Sequence, residues 1–144
     1  MIIAEKQNNG RGQYGKKWIS YKGNLFVTFF FQLGNLKMSL NKLTQLNCLL
    51  VRKLLSLYYK KKIIFKKPND LLIKKKKICG ILQETLSKFN KRFIIVGIGI
   101  NLIKSPNIKN YPTTNFWDLL NKKIPKNKIE NELKKIFELE LTKL

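Results

Sequence analysis

The chain has 144 residues, with 30 lysines and arginines against 8 acids, no histidine, and a formal charge of +22. That length suits a single domain, and 44% hydrophobic residues with 11% aromatics exclude a disordered basic tail. Without histidine there is no Ser-His-Asp triad, no Cys-His pair and no His-ligated zinc, so any chemistry must come from lysine, arginine, a few carboxylates and backbone amides.

In chain order, Ile2–Ala4 reads as the end of a strand that begins upstream, followed by a polar, glycine-punctuated loop from Lys6 to Lys17. Asn24–Leu33 is β-branched and aromatic, as strands are. Between Ser39 and Tyr59, leucines at 40, 43, 46, 50, 54 and 57 recur at spacings of three and four, which predicts an amphipathic helix capped by Ser39. Ile63–Lys66 reads as a short strand running into Pro68-Asn69-Asp70. Leu71–Ile73, a lysine turn and Ile78–Leu86 read as a hairpin, and Phe93–Ile100 as a strand ending in Gly97-Ile98-Gly99-Ile100-Asn101. A loop over Ser105–Asn115 and a short helix at Phe116–Asn121 follow. A closing helix over Lys126–Leu144 has Ile129, Leu133, Ile136 and Phe137 on its buried stripe. With no repeat and no linker, these elements predict an α+β fold, a mixed and mostly antiparallel sheet with packed helices.

The charge alone does not name a partner. Only Arg11, Arg52 and Arg92 are arginines and every other cation is lysine. Lys, Asn and Ile share A/T-rich codons, so nucleotide bias accounts for the excess on any fold, although a polyanion remains the alternative partner. Cys48 and Cys79 are lone cysteines without CxxC spacing, which points to neither a metal site nor a disulfide framework. The start lacks a signal-peptide pattern, and the longest apolar run, Leu25–Phe31, is far short of the roughly 20 residues a membrane span needs. The expectation is a cytoplasmic protein that does not enter membranes.

Three segments bear on chemistry. Gly10-Arg11-Gly12-Gln13-Tyr14-Gly15 matches the letters GxGxxG, but the loop leads into a strand, and no acid occurs between Glu5 and Asp70 to hold a ribose. Its glycines, interleaved with Arg11, Lys16 and Lys17, suit a cradle for phosphate or carboxylate. Trp18 either stacks on a base or anchors the loop. In Lys66-Lys67-Pro68-Asn69-Asp70, either Asn69 or Asp70 closes a turn on its own backbone, or the acid faces a metal or an amine. Lys77 enters an apolar strand beside Gly80, where no side chain blocks a ligand. Cys79 reads as a core residue, since no base is available to activate it.

Together these segments resemble the catalytic domain of the biotin protein ligases, in the order A-E-x-Q-x-x-G-R-G-R-x-G-R-x-W, K-W-P-N-D, K-x-x-G-I-L, G-x-G-I-N. Here they stand as Ala4-Glu5-Lys6-Gln7 through Gly10-Arg11-Gly12-Gln13 to Trp18, then Lys66–Asp70, then Lys77-Ile78-Cys79-Gly80-Ile81-Leu82, then Gly97–Asn101. The resemblance implies a class II aminoacyl-tRNA synthetase/biotin ligase-like fold and a two-step reaction. Biotin and ATP, with Mg²⁺, form biotinyl-5′-AMP, which a lysine of a biotin carboxyl carrier protein then attacks. It implies Lys77 and Arg11 as catalytic residues. Gln7, Gly10, Arg11, Gly12, Gln13, Lys77, Gly80 and Ile81 would lie toward biotin. Lys16, Trp18, Lys66, Asn69, Asp70 and Asn101 would lie toward ATP or the adenylate, with Asn69 and Asp70 the candidates for Mg²⁺. It also allows a homodimer and gives no support to specific DNA binding.

The sequence departs from the pattern at three positions. Gln13 stands for the second loop arginine, Lys16 for another arginine, and Lys67 for the tryptophan of K-W-P-N-D. The Ser/Thr-Asn strand–helix that precedes the glycine loop in the family, and the small C-terminal barrel, are not in this sequence. The expectation is one catalytic domain over residues 1–144, shortened at its N-terminus. Within the superfamily the alternative is a lipoate ligase or octanoyltransferase. Outside it, the alternative is a non-catalytic basic nucleic-acid-binding module.

Overall fold

The computed structural model describes residues 1–34 and 38–141. It has six strands, β1 (Ile2–Ala4), β2 (Leu25–Leu33), β3 (Ile63–Lys66), β4 (Asp70–Ile73), β5 (Lys76–Lys88) and β6 (Lys91–Ile100). The helices are α1 (Leu40–Tyr58), α2 (Phe116–Leu120) and α3 (Lys126–Leu141). The strands form one sheet in the order β1-β2-β6-β5-β4-β3, and every named pair is antiparallel. The α+β reading therefore holds, and most predicted elements lie within one or two residues of the observed ones. The last three residues of the predicted closing helix, 142–144, lie outside the described residues.

Alternation along the strands sorts the sheet into two faces. Leu25, Val27 and Phe29 of β2, and Ile94, Val96, Ile98 and Ile100 of β6, join Leu71, Ile73, Cys79 and Ile81 in a single core with α1 and α3. Phe137 of α3 stacks on Phe29 with ring centroids 4.3 Å apart. Cys79 is thus a core residue, and burial pushes its thiol well above the usual range; burial likewise raises the Cys48 thiol to about 12. The opposite face carries Phe26, Thr28, Leu82, Glu84, Ile95 and the glycines Gly80, Gly97 and Gly99, and borders an open cleft.

Ser39 caps α1 as expected, its hydroxyl accepting from the Lys42 amide at 3.4 Å. The ends of the predicted apolar stripe differ. Leu40 and Leu57 are 38% and 49% exposed, whereas Leu43, Leu50, Val51, Leu54 and Leu55 are buried. Leu40 is the first residue of the helix, and Leu57 lies at the edge of the face that buries Leu43, Leu50 and Leu54, so neither is enclosed on all sides. Asn24, expected to begin a strand, is instead a buried anchor. Its Oδ1 accepts from the amides of Leu102, Ile103 and Lys104, and its Nδ2 donates to the Lys104 carbonyl at 2.7 Å.

The β4–β5 turn places Lys74 and Lys75 both in the left-handed region, at φ 49° and 63°. Two-residue hairpin turns of this kind favour Asn-Gly, because a side chain costs about 1–2 kcal/mol per left-handed residue. Replacing Lys74-Lys75 by Asn-Gly is expected to stabilise the fold by about 1 kcal/mol in urea unfolding. An unchanged or lowered midpoint would count against this reading of the turn.

Candidate active site

The glycine loop is a small closed hairpin rather than an open coil. Trp18 N–H donates to the Gly10 carbonyl at 2.8 Å, Gly12 N–H donates to the Lys16 carbonyl at 2.6 Å, and Arg11 bridges to Lys17. A 3-10 turn at Gln13–Gly15 closes its tip, with Tyr14 and Gly15 at φ 56° and 72°. A Cβ on Gly10 would stand 2.7 Å from the Trp18 carbonyl oxygen, so only glycine permits this closure. The base of the hairpin is held where Gln7 N–H donates to Ser20 Oγ at 2.9 Å.

The loop's return strand delivers Trp18 onto the sheet. Gly80 of β5 and Gly99 of β6 are cross-strand partners. The indole lies over both: a Cβ at Gly99 would stand 2.5 Å from Trp18 Cζ2, and one at Gly80 would stand 2.8 Å from Cζ3. This corrects the expectation that Gly80 leaves open space for a ligand, because the tryptophan fills it and becomes the floor of the cleft. Ile81 turns its side chain into the helix-side core and reaches the site only through its backbone.

Lys77 reaches the same face through a bulge. The β4–β5 register runs Leu71 opposite Cys79 and then Leu72 opposite Lys77, leaving Ile78 as the extra residue. Simple alternation would put residues 77 and 80 on opposite faces, and the bulge puts them on one. Lys77 Nζ then pairs with Asp70 Oδ1 at 2.8 Å, the two side chains being 18% and 13% exposed. The ammonium also lies 5.2 Å from the Trp18 ring centroid.

The other predicted residues have defined partners. Arg11 pairs with Glu84 Oε2 at 2.9 Å, in an exposed ion pair. Asn69 Nδ2 donates to the Ile81 carbonyl at 2.8 Å, tying β4 to β5 rather than closing a turn on its own backbone. Lys66 Nζ sits 4.2 Å over the Tyr111 ring. Asn101 is buried, donating to the Thr114 carbonyl at 3.1 Å, and its backbone N–H donates to the Ile78 carbonyl. Gln13 and Lys16 lie at the hairpin tip. Of the site residues named from sequence, all except Gly10 border one cleft of about 860 Å³.

Two participants were missed. Glu84, the partner of Arg11, shares the open face with Gly80 and Leu82, and its even spacing from them was a readable signal. Tyr111 had none, since it lies in a loop without a motif. Its hydroxyl donates a short hydrogen bond to Asp70 Oδ2, and burial, followed by that bond, raises the phenol well above the usual tyrosine range. Lys77 thus stands at one Asp70 oxygen and Tyr111 at the other. No group of three or more potential metal ligands occurs among the described residues.

Residues 1–101 match the model of the biotin/lipoate A/B protein ligase family. The bifunctional ligase/repressor BirA of Escherichia coli (strain K12) is 33% identical over 102 residues, covering 69% of this chain and 32% of that protein. The biotin protein ligase from Aquifex aeolicus, solved in complex with biotin and ATP, superposes with a TM-score of 0.84 at 29% identity, covering 98% of this chain and 60% of that one. The Leishmania major biotin protein ligase in complex with biotinyl-5-AMP superposes with a TM-score of 0.79 at 27% identity, covering 93% and 61%. This chain therefore shares the class II synthetase-like fold of those enzymes while spanning about a third of the first curated relative's length.

Adding a methyl group at Gly99 must lift the indole. In a Trp117→Phe background, Gly99→Ala is expected to red-shift the Trp18 emission and to cost about 1–3 kcal/mol of stability. Emission identical to the parent would refute the packing described. The raised phenols give a second test. A group whose neutral form the fold favours keeps its hydrogen bond below the unfolded value and loses it as pH rises further. Tyr111→Phe, and Tyr58→Phe at the half-buried Tyr58–Glu132 pair, should each remove a step above the ordinary tyrosine range in the alkaline absorbance titration. Loss of a step within the ordinary range would contradict this.

Proposed function

The chain belongs to the biotin/lipoate A/B protein ligase family, and from that premise we propose that it activates biotin with ATP and transfers it to a carrier lysine. In the first step a biotin carboxylate oxygen bonds to the α-phosphorus and the bond to pyrophosphate breaks, giving biotinyl-5′-AMP. In the second, a carrier lysine amine attacks the acyl carbon, AMP departs with the electron pair of the broken anhydride bond, and the amine loses a proton to leave an amide.

The obstacle in the first step is the approach of two anions. Cations fixed beside the reacting atoms lower that barrier without reorganising when charge shifts. Lys77 suits the task, since an ammonium has three N–H donors and Asp70 engages one side of it. Arg11 would leave Glu84 to take up substrate. Exposed pairs of this kind are worth about 0–1 kcal/mol, so the exchange is cheap. Gln7, Gly10, Gly12, Gln13, Gly80 and Ile81 are assigned with them to the biotin side, where Phe26, Leu82 and Ile95 supply apolar wall. Lys16, Trp18, Lys66, Asn69, Asp70 and Asn101 are assigned to the nucleotide side. Asn69 Nδ2 and both Asp70 oxygens have protein partners in Ile81, Lys77 and Tyr111, so Asn69 Oδ1 is the atom of these two residues that would be left to take up Mg²⁺, which would offset the phosphate charge.

We read residues 1–144 as one such catalytic domain, acting in the cytoplasm on a biotin carboxyl carrier protein. The two free, buried thiols support that compartment, and no helix among the described residues is long and apolar enough to cross a membrane. What supports the reading most is Lys77, held by Asp70 in a cleft bordered by residues of all four sequence motifs.

The test is incubation of the purified chain with biotin, MgATP and a carrier domain, followed by streptavidin detection. The wild type is expected to label the carrier, and Lys77→Ala and Arg11→Ala to weaken labelling by about 10²–10³, as for removal of one transition-state donor. An unlabelled carrier with the wild-type chain would reject the proposal.

A further inference from the structure

Tyr111 lies beyond residues 1–101, where the family model matches, and no sequence motif contains it. Its surroundings are nonetheless built around Lys77. Lys77 N–H donates to the Pro112 carbonyl at 2.9 Å, and Thr114 N–H donates to the Lys77 carbonyl at 2.9 Å. Residues 112–114 thus run parallel to the start of β5, bridged at Lys77 and Thr113. Thr113 Oγ1 donates to the Pro106 carbonyl, Tyr111 N–H donates to the Ile108 carbonyl at 3.1 Å, and Asn110 turns the chain at φ 62°. One loop therefore grips the Lys77 backbone and also presents a phenol to the carboxylate that grips its side chain.

We propose that Tyr111 is a positioning residue for Lys77, acting through Asp70. A carboxylate held at a single oxygen swings readily about its terminal torsion, which is broad. With Lys77 on Oδ1 and the Tyr111 hydroxyl on Oδ2, both oxygens are assigned and the carboxylate plane is fixed. The ring adds to this, lying 5.6 Å from Lys77 Nζ and 4.2 Å from Lys66 Nζ. Cations prefer ring faces at such distances, so one aromatic ring sets the places of two site lysines. Because the phenol stays protonated, it remains a donor throughout the neutral range. The consequence is confined to this chain's own loop: the reach of Lys77 toward a reacting carboxylate and phosphate depends on a residue that lies outside all four sequence motifs.

The inference rests on the ligase reading for its kinetic part only. Biotin-dependent ATP–pyrophosphate exchange is measured for the wild type, Tyr111→Phe, Asp70→Asn and the double variant, each checked by thermal melting. Phenylalanine keeps the ring and removes only the hydroxyl. Tyr111→Phe is expected to lower kcat about tenfold, the scale of one hydrogen bond to a charged group, with KM for biotin and ATP within about twofold. In the Asp70→Asn background the same change is expected to have no further effect, because the two residues act as one unit. Independent losses that add in full, or a change in KM without one in kcat, would overturn the proposal. A second readout needs no activity: the ¹H–¹⁵N signal of the Lys77 ammonium, assigned with Lys77→Arg. It should move in Tyr111→Phe toward its position in Asp70→Asn, and an unmoved signal overturns the proposal. If the wild type shows no exchange, the ligase reading fails, and the Lys77 signal alone decides whether Tyr111 positions it.

Discussion

Side chains along a strand alternate between faces, so residues 77 and 80 would ordinarily lie on opposite sides of the sheet, and the one residue of bulge at Ile78 brings them to the same side. Everything at the cleft follows from that placement. Ile78 and Cys79 are both buried, while Lys77 turns toward Asp70 at 2.8 Å. Removing the extra residue would send the ammonium toward the hydrophobic core, where a lone charge is far more costly. The bulge therefore sets the position of the cation on which the proposed chemistry depends.

The second constraint is steric. Gly80 and Gly99 face each other across β5 and β6 and leave a strip of bare backbone, and Trp18 covers it. The hairpin from Gly10 to Trp18 is thereby docked with Arg11 on the same side as Lys77. Of the cations that border the cleft, Arg11 and Lys77 are each held by a carboxylate, Glu84 or Asp70. The acids are few in this chain, and two of its eight are spent holding these cations. Against a net charge of +22 this matters, because without such partners like charges would push apart the groups that must act together.

Much of the fold was legible because periodicity is a local property. The leucine spacing of α1, the apolar stripe of α3 and the turn at Lys74–Lys75 all read directly from the chain. The site residues were legible as motifs, but what each one touches was not. Gly80 reads as vacant space in sequence, and only the docked hairpin shows that Trp18 occupies it. A bulge has no composition of its own, so the sequence sets Lys77 beside Gly80 without showing the register that puts both on one face. Tyr111 is brought to Asp70 across 41 positions by a loop pairing with Lys77. Nothing within the loop itself signals that contact, since the pairing is fixed by a strand far away in sequence. Leu40 and Leu57 show the opposite failure: the pattern continues, but Leu40 stands at the helix end and Leu57 at the edge of the buried face.

In the proposed reaction the cleft over Trp18 brings a carboxylate and an α-phosphate together at Lys77. A crystal structure of the chain soaked with biotin and ATP tests this most directly. The adenylate is expected in that cleft, its acyl-phosphate oxygens within hydrogen-bonding distance of Lys77 Nζ and Asp70 still paired behind it. An adenylate bound elsewhere, or bound in the cleft with Lys77 turned away from those oxygens, would contradict it.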